Sequence, residues 1–252
     1  MLAIVHQGIA IPILWVMLNK RGNSDTRERI ALIKRFISLF GRDSILSLTA
    51  DREFVGKKWF EWLNEAQIPF IIRIKKNFKV LNKKGKHTQV QDLFHDLKPN
   101  THIQYARKIC LTGVACYLTA LRMEGQELLI LASNERSEVL ERYKKRWEIE
   151  TLFSCLKGRG FNLEETHLTE MRKIKKLLVI HAIAFCWAHY IGEWQQETKP
   201  IKNKIHGRKE KSIFRVGLDY LTLALKQVFI KQDYSNINIL INILDIKIPL
   251  RE

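Results

Sequence analysis

The sequence predicts an α/β chain, a mixed sheet flanked by helices. Three observations predict it. A short apolar run, Ser44–Ala50, is followed by an amphipathic segment near Val55–Ala66 and a second apolar run, Phe70–Ile74, which together read as a strand–helix–strand unit with a parallel pair. Short strand-like runs separated by basic turns fill residues 80–134. Two long segments of helical periodicity follow, from Ser137 to Lys157 and from about Glu170 to Glu193.

Taken in order, Met1–Val5 and Ile9–Leu18 are apolar runs around His6-Gln7-Gly8 and read as a hairpin of buried strands. Asn19–Ser24 is turn-rich. Ser24 or Asp25 can cap the next helix, with Glu28 in its first turn. Ile30, Ile33, Phe36, Ile37 and Phe40 give that helix an apolar stripe, and Gly41 ends it. The strand Ser44–Ala50 runs into Asp51. Trp59, Phe60, Trp62 and Leu63 supply apolar surface on the following helix, and Pro69 opens the strand that leads into Lys75-Lys76-Asn77. Within residues 80–134 the strand-like runs are Thr101–Leu111, Ala115–Arg122 and Leu128–Ala132, an antiparallel β-rich insertion. Gly158-Arg-Gly160 breaks the helix that starts at Ser137. The helix from Glu170 is very apolar at its centre, and its His181 and His189 read as hydrogen-bonded core or edge residues. Thr198–Arg215 is a basic linker with seven Lys/Arg against one Glu. Phe214–Ile230 is a further helix, and the tail Asn236–Leu250 fits a strand or a poorly capped helix.

The formal net charge of +17 over 252 residues exceeds what solubility requires and favours a polyanionic partner, nucleic acid before an anionic membrane. Such a chain is expected to bind DNA without sequence preference and to lose affinity steeply with salt. Cys110, Cys116, Cys155 and Cys186 show no zinc-type spacing and read as free thiols in a reducing compartment. The apolar N-terminus has no basic leader region, and His6-Gln7-Gly8 and Pro12 interrupt it, so no membrane and a cytoplasmic location are expected.

Residues 143–157 carry the chemistry. At about 100° per residue, Tyr143, Arg146, Glu150 and Lys157 fall at roughly 0°, 300°, 340° and 320°, one narrow stripe. Ile149, Leu152, Phe153 and Leu156 form the apolar face beside it, and Glu148 points away. One carboxylate between two cations and a phenol is a way to present an acid to a metal and to phosphates. The plain alternative is an amphipathic helix with a solvated charged edge. Asp51, at the C-terminal end of a strand in a βαβ unit, occupies the usual ligand position of an open α/β sheet, though it also fits the simpler role of capping the next helix. Two carboxylates from separate elements suit divalent cations, which prefer oxygen ligands. A metal pair about 4 Å apart would serve phosphodiester transfer.

The motif Tyr143-x₂-Arg146-x₃-Glu150-x₆-Lys157 resembles the Tyr-Arg-Glu-Lys signature of bacterial insertion-sequence transposases of the DDE class. Thr49-Ala-Asp51-Arg-Glu-Phe54 looks like that family's second-aspartate block, and His206–Ser212 with Phe214-Arg215 like its C-terminal region. The resemblance covers nearly the whole chain. It implies a ribonuclease H-like core in two parts, residues 1–79 and 135–197, around the β-rich insertion 80–134, with a basic linker and helical region at 198–252. It implies transposon-end DNA as partner, alongside a second copy or a full-length transposase, and a two-metal Mg²⁺ or Mn²⁺ site. Asp51 and Glu150 would be the metal-binding catalytic acids. Tyr143, Arg146, Lys157, Lys75, Lys76, Arg208, Lys209 and Lys211 would contact DNA, and Trp147 or another exposed aromatic would stack on a flipped base. The family's first aspartate belongs on a strand ahead of the opening hairpin. Asp25, Glu28 and Asp43, the only acids before Asp51, do not lie on such a strand. The resemblance therefore implies a truncated, inactive copy with its first strand missing, an incomplete metal site and an exposed sheet edge that promotes self-association. A non-catalytic DNA-binding protein or transposase inhibitor, and a ribonuclease H-like nuclease, are the competing expectations.

Overall fold

The computed structural model describes residues 1–20, 22–81, 85–125, 127–205, 207 and 209–244, residue 159 by its backbone alone. They fall into two compact units, Met1–Glu150 and Thr151–Glu252, and the division runs through the signature segment.

The first unit opens with the expected hairpin, β1 (Leu2–His6) and β2 (Ile9–Leu14). Gln7 and Gly8, with φ of 43° and 88°, make a two-residue turn whose handedness suits the strand twist. Counting from that turn, His6 with Ile9 and Ile4 with Ile11 are the bonded pairs, and Ala3 faces Pro12 in a non-bonded pair. Pro12 therefore sits with its missing N–H on the outer side of β2, where no ladder bond is lost. Ala3 and Val5 turn their backbone groups away from β2 on the opposite side. Ile4 and Val5 are exposed.

Helix α1 (Thr26–Phe40) starts at Asp25, whose side chain accepts from the Glu28 N–H while Glu28 reaches back to the Asp25 N–H, and Gly41 at φ 80° ends it. The next strand is shorter than expected. Residues Arg42–Ser44 close a 3₁₀ turn, Ile45 N–H bonding to the Arg42 carbonyl, and β3 begins only at Leu48 (Leu48–Ala50). Helix α2 (Lys57–Glu65) then returns the chain to β4 (Phe70–Ile74), parallel to β3 with Leu48 beside Phe70. The βαβ unit is as the sequence predicts.

Six further strands follow: β5 (Lys79–Leu81), β6 (His87–Gln89), β7 (His102–Gln104), β8 (Ile109–Leu111), β9 (Val114–Arg122) and β10 (Leu128–Ser133). They are antiparallel, as expected, but most join the core sheet. β10 pairs with β4, giving the order β3-β4-β10-β9-β7 with β8 also on β9, while β5 and β6 pair separately. The fold class is α/β with a mixed sheet, consistent with a ribonuclease H-like transposase domain. β3 stands at the edge of this sheet, and its neighbour on the other side is not a described strand.

Side-chain alternation sorts the core. Phe70, Ile72 and Ile74 of β4, Leu118 and Ala120 of β9, and Ile130 and Ala132 of β10 pack with Ile33 of α1 and Trp59, Phe60 and Leu63 of α2. Burying each large side chain contributes roughly 1.5–3 kcal/mol. The opposite face carries Ile71 and Leu131, covered by Val139 and Tyr143 of α3 (Val139–Lys144). The helix expected to run unbroken to Lys157 is interrupted: α4 (Trp147–Ser154) starts after an irregular step. There Arg146, Glu148 and Ile149 bond back three residues rather than four, tightening the backbone.

The second unit is helical. A π-helical turn, Cys155–Arg159, is followed by α5 (Met171–Thr198), α6 (Ile213–Lys231) and α7 (Ser235–Leu244), so the described part of the tail is helix rather than strand. Residues 245–250 of the predicted tail element lie outside the described residues. Ser212 caps α6 by accepting from the Arg215 N–H. α5 and α6 cross at glycines: a methyl at Gly217 would lie 1.7 Å from the Ala188 carbonyl oxygen, and one at Gly192 2.1 Å from that of Ile213. α5 is long and apolar enough to cross a membrane by length and composition alone. His189 on α5 is buried and pairs with Glu193 at 3.2 Å, and His181 stacks on Phe161, both structural places. Cys110, Cys116 and Cys186 are free thiols.

Candidate active site

β3 and β4 run parallel, so their C-terminal ends lie at the same end of the sheet. Thr49 pairs with Ile71, and by alternation Asp51 and Arg73 continue on that same face, the one covered by α3. Asp51 is accordingly near Tyr143 and Arg146, and its charge acts on both. Arg146 Nη2 donates to Glu150 Oε1 at 2.7 Å. Asp51, Tyr143, Arg146 and Glu150 are thus brought together by a strand end, a helix and an irregular helical step within the first unit.

Asp51 does cap a helical turn, but a 3₁₀ turn (Arg52–Phe54) rather than α2, which Gly56 precedes. Its Oδ1 accepts from the Arg52 N–H at 2.8 Å. The Arg146 side chain is only 9% exposed, against 46% for Glu150. Its guanidinium lies 5.6 Å from the Tyr143 ring centroid and 5.5 Å from that of Trp147, which is itself exposed. Burial alone would favour a neutral Arg146. The Glu150 hydrogen bond, Tyr143 and the charges of Asp51 and Glu150 together outweigh it, and the guanidinium is held more firmly protonated than usual. Tyr143 is buried, which raises its phenol pKa despite the neighbouring Arg146.

Three buried polar atoms here lack a hydrogen-bond partner: the Tyr143 hydroxyl, Arg146 Nε and Glu148 Oε2. The hydroxyl lies beside the guanidinium without hydrogen-bond geometry. Orphaned buried donors are costly, at about 1–3 kcal/mol each, and two of them lie together here.

Lys75 and Lys76 are exposed at the end of β4. Lys75 lines a cleft with Asn23, Arg52, Glu53, Val55 and Phe78, on the residues that follow Asp51. Lys157 lies in the second unit, in the π-helical turn, paired with Glu164 at 3.1 Å. Also there, Lys209 donates to Gln196 and Lys211 pairs with Asp219 at 2.9 Å. Arg208 lies outside the described residues. Arg29, Arg52 and Arg73 were not singled out in the sequence. Arg73, a cation inside the apolar run Phe70–Ile74, was the available signal, and it pairs with Glu127 at 2.7 Å. Among the described residues no group of three or more His, Cys, Asp or Glu gathers as a metal cluster.

A strand end carrying a carboxylate, faced by a largely buried arginine and a second carboxylate on a strongly basic chain, is chemistry suited to a polyanion. The sequence model of the transposase DDE domain matches residues 2–187, most of the chain. The chain belongs to that family, whose chemistry generally uses a divalent metal ion and acts on DNA. No curated protein matches it significantly.

Proposed function

We propose that this chain binds transposon-end DNA across the Asp51–Arg146–Glu150 cluster, in the manner of an insertion-sequence transposase. The observation that supports this reading is the convergence of two carboxylates on one arginine beside orphaned donors. Transposition then depends on hydrolysis and transfer of phosphodiester bonds, and a cytoplasmic, nucleoid-associated location follows from the DNA substrate.

The donor chemistry fits Mg²⁺ or Mn²⁺. Magnesium is held by one or two carboxylates together with substrate phosphates. Asp51 keeps one carboxylate oxygen beyond the bond to the Arg52 N–H, and Glu150 keeps Oε2 beyond the bond to Arg146. These two residues would hold the cation, which when bound polarises the phosphate and activates the attacking oxygen. The rest belongs to the chain. Arg146, fixed by Glu150 and firmly protonated, directs its Nε–H to a phosphate oxygen, and the Tyr143 hydroxyl donates a second bond. Lys75 and Lys76 hold flanking phosphates as charge-assisted donors. On the second unit, the family resemblance assigns DNA contacts of their own to Lys157, Arg208, Lys209 and Lys211; on the first, the exposed Trp147 is available to stack on an unpaired base.

Two carboxylates are one fewer than the family signature contains. Asp25 caps α1, Glu28 pairs with Lys20 at 2.7 Å and Asp43 with Arg42 at 3.0 Å, so these acids are engaged elsewhere. The third belongs on an extended segment paired to the free edge of β3. Residues 1–252 acting alone are then DNA binders with little or no strand-transfer activity, and in that state would compete with a complete transposase for DNA ends.

A pre-cut duplex end in Mn²⁺ tests both parts. The expected result is salt-sensitive DNA binding, weakened about tenfold by Arg146→Ala, the loss of 1–3 kcal/mol of charged hydrogen bonding, with strand transfer at background. Absence of DNA binding at low salt overturns the first part. Strong strand transfer abolished by Glu150→Gln overturns the second.

A further inference from the structure

Asp51 is oriented by the turn that follows it. Its carboxylate bonds to the Arg52 N–H, and its carbonyl accepts from the Phe54 N–H at 2.9 Å. That turn is in turn held by one side chain. Arg29, on the first turns of α1, donates through Nη2 to the Glu53 carbonyl at 3.2 Å, and its guanidinium carbon stands 4.5 Å from the centroid of the Phe54 ring. The same guanidinium donates through Nε to Ser24 Oγ at 3.1 Å and through Nη2 to the Ser24 carbonyl. One planar fork therefore ties the segment before α1 to two of the three residues of the turn at the tip of β3. Asp25 and Glu28, the acids close by on α1, are already taken by the capping box and by Lys20, so the Arg29 fork is left to carbonyl and hydroxyl acceptors.

From this geometry we infer that Arg29 is a positioning residue for Asp51: it fixes the 3₁₀ turn, and through it the direction in which the Asp51 carboxylate presents its free oxygen. The inference rests on the reading of Asp51 as a cation ligand. Lysine cannot replace it. A single ammonium lacks the flat fork that reaches Ser24 and Glu53 together and stacks on Phe54. The turn also forms one wall of the cleft with Lys75 and Phe78, so a loosened turn would widen that cleft as well.

The test is Mn²⁺ titration of the full chain, followed by water-proton relaxation, alongside thermal unfolding. The variants are Arg29→Ala, Arg29→Lys and Asp51→Asn. Outer-shell residues of metal sites typically cost 10–100-fold in affinity when removed, so Arg29→Ala is expected to raise the Mn²⁺ midpoint about tenfold. Arg29→Lys is expected to raise it too, with a melting temperature closer to wild type. Asp51→Asn should abolish the site. A folded Arg29→Lys chain with an unchanged midpoint, while Asp51→Asn still weakens binding, overturns the inference and leaves Arg29 a staple; this arm decides even if Arg29→Ala does not fold. Equal Mn²⁺ binding by wild type and Asp51→Asn overturns the ligand reading itself, and the inference falls with it.

Discussion

Where α5 crosses α6, the backbones approach so closely that a single methyl group has nowhere to go. Around Asp51 the situation is reversed: a buried hydroxyl and a buried guanidinium nitrogen have no partner at all. The first region is set by backbone meeting backbone, with the buried His189 paired to Glu193 beside it. The second gathers two unsatisfied donors on one phenol and the guanidinium next to it. The contrast is between a crossing fixed by steric contact and a cluster built of polar side chains.

The sharpest way to break this contrast is at the crossing. Gly217→Ala should cost about 3 kcal/mol or more, because the intruding atom meets backbone and the helices must move apart. Gly158→Ala, where an added methyl meets nothing within 4 Å, is the matched control and should shift the melting temperature far less. Equal losses in the two variants would mean that close packing is not what α5 and α6 depend on. A smaller effect is expected in the cluster. Tyr143→Phe removes an unpartnered hydroxyl, so urea unfolding should show a change within about 1 kcal/mol of zero or a slight gain, while DNA affinity falls severalfold. A large destabilisation would show that the hydroxyl is satisfied in the folded chain.

The smallest effect is a pH dependence at Glu148. Burial raises its carboxyl pKa, with Lys145 and His6 opposing. A group whose folded pKa lies above its unfolded value of about 4.5 binds more protons in the folded state, so stability falls as pH rises from there through the raised value. Glu148→Gln removes this loss. Its melting temperature should gain on wild type at pH 8 relative to pH 4, and parallel pH profiles for the two chains would refute the assignment.

Local rules were enough for much of the fold. The capping pair Asp25 and Glu28, the Gly41 stop, the Gln7-Gly8 turn and the parallel β3–β4 pair are all short-range or follow from a single crossover. Sheet order was not legible, because nothing in residues 128–133 states that they pair with β4 rather than with one another's neighbours. Fixed angular steps placed Tyr143, Arg146 and Glu150 together correctly. They could not foresee the three-residue bonds at Arg146, which turn that side chain inward to a 9% exposure instead of along a solvated edge. They also set Glu148 well away from the stripe, where it shares the interior nonetheless, with a buried oxygen that has no partner. Arg29 was invisible for a different reason. Besides the Ser24 hydroxyl, its acceptors are backbone carbonyls twenty-four and five residues away, and carbonyls leave no trace in residue type.

The opening hairpin has one further consequence. Pro12 denies a hydrogen-bond donor on the far side of β2, while Ala3 and Val5 leave the far side of β1 able to accept a guest strand. The two margins of the hairpin therefore differ: the outer side of β2 offers one donor fewer to a pairing strand than the outer side of β1.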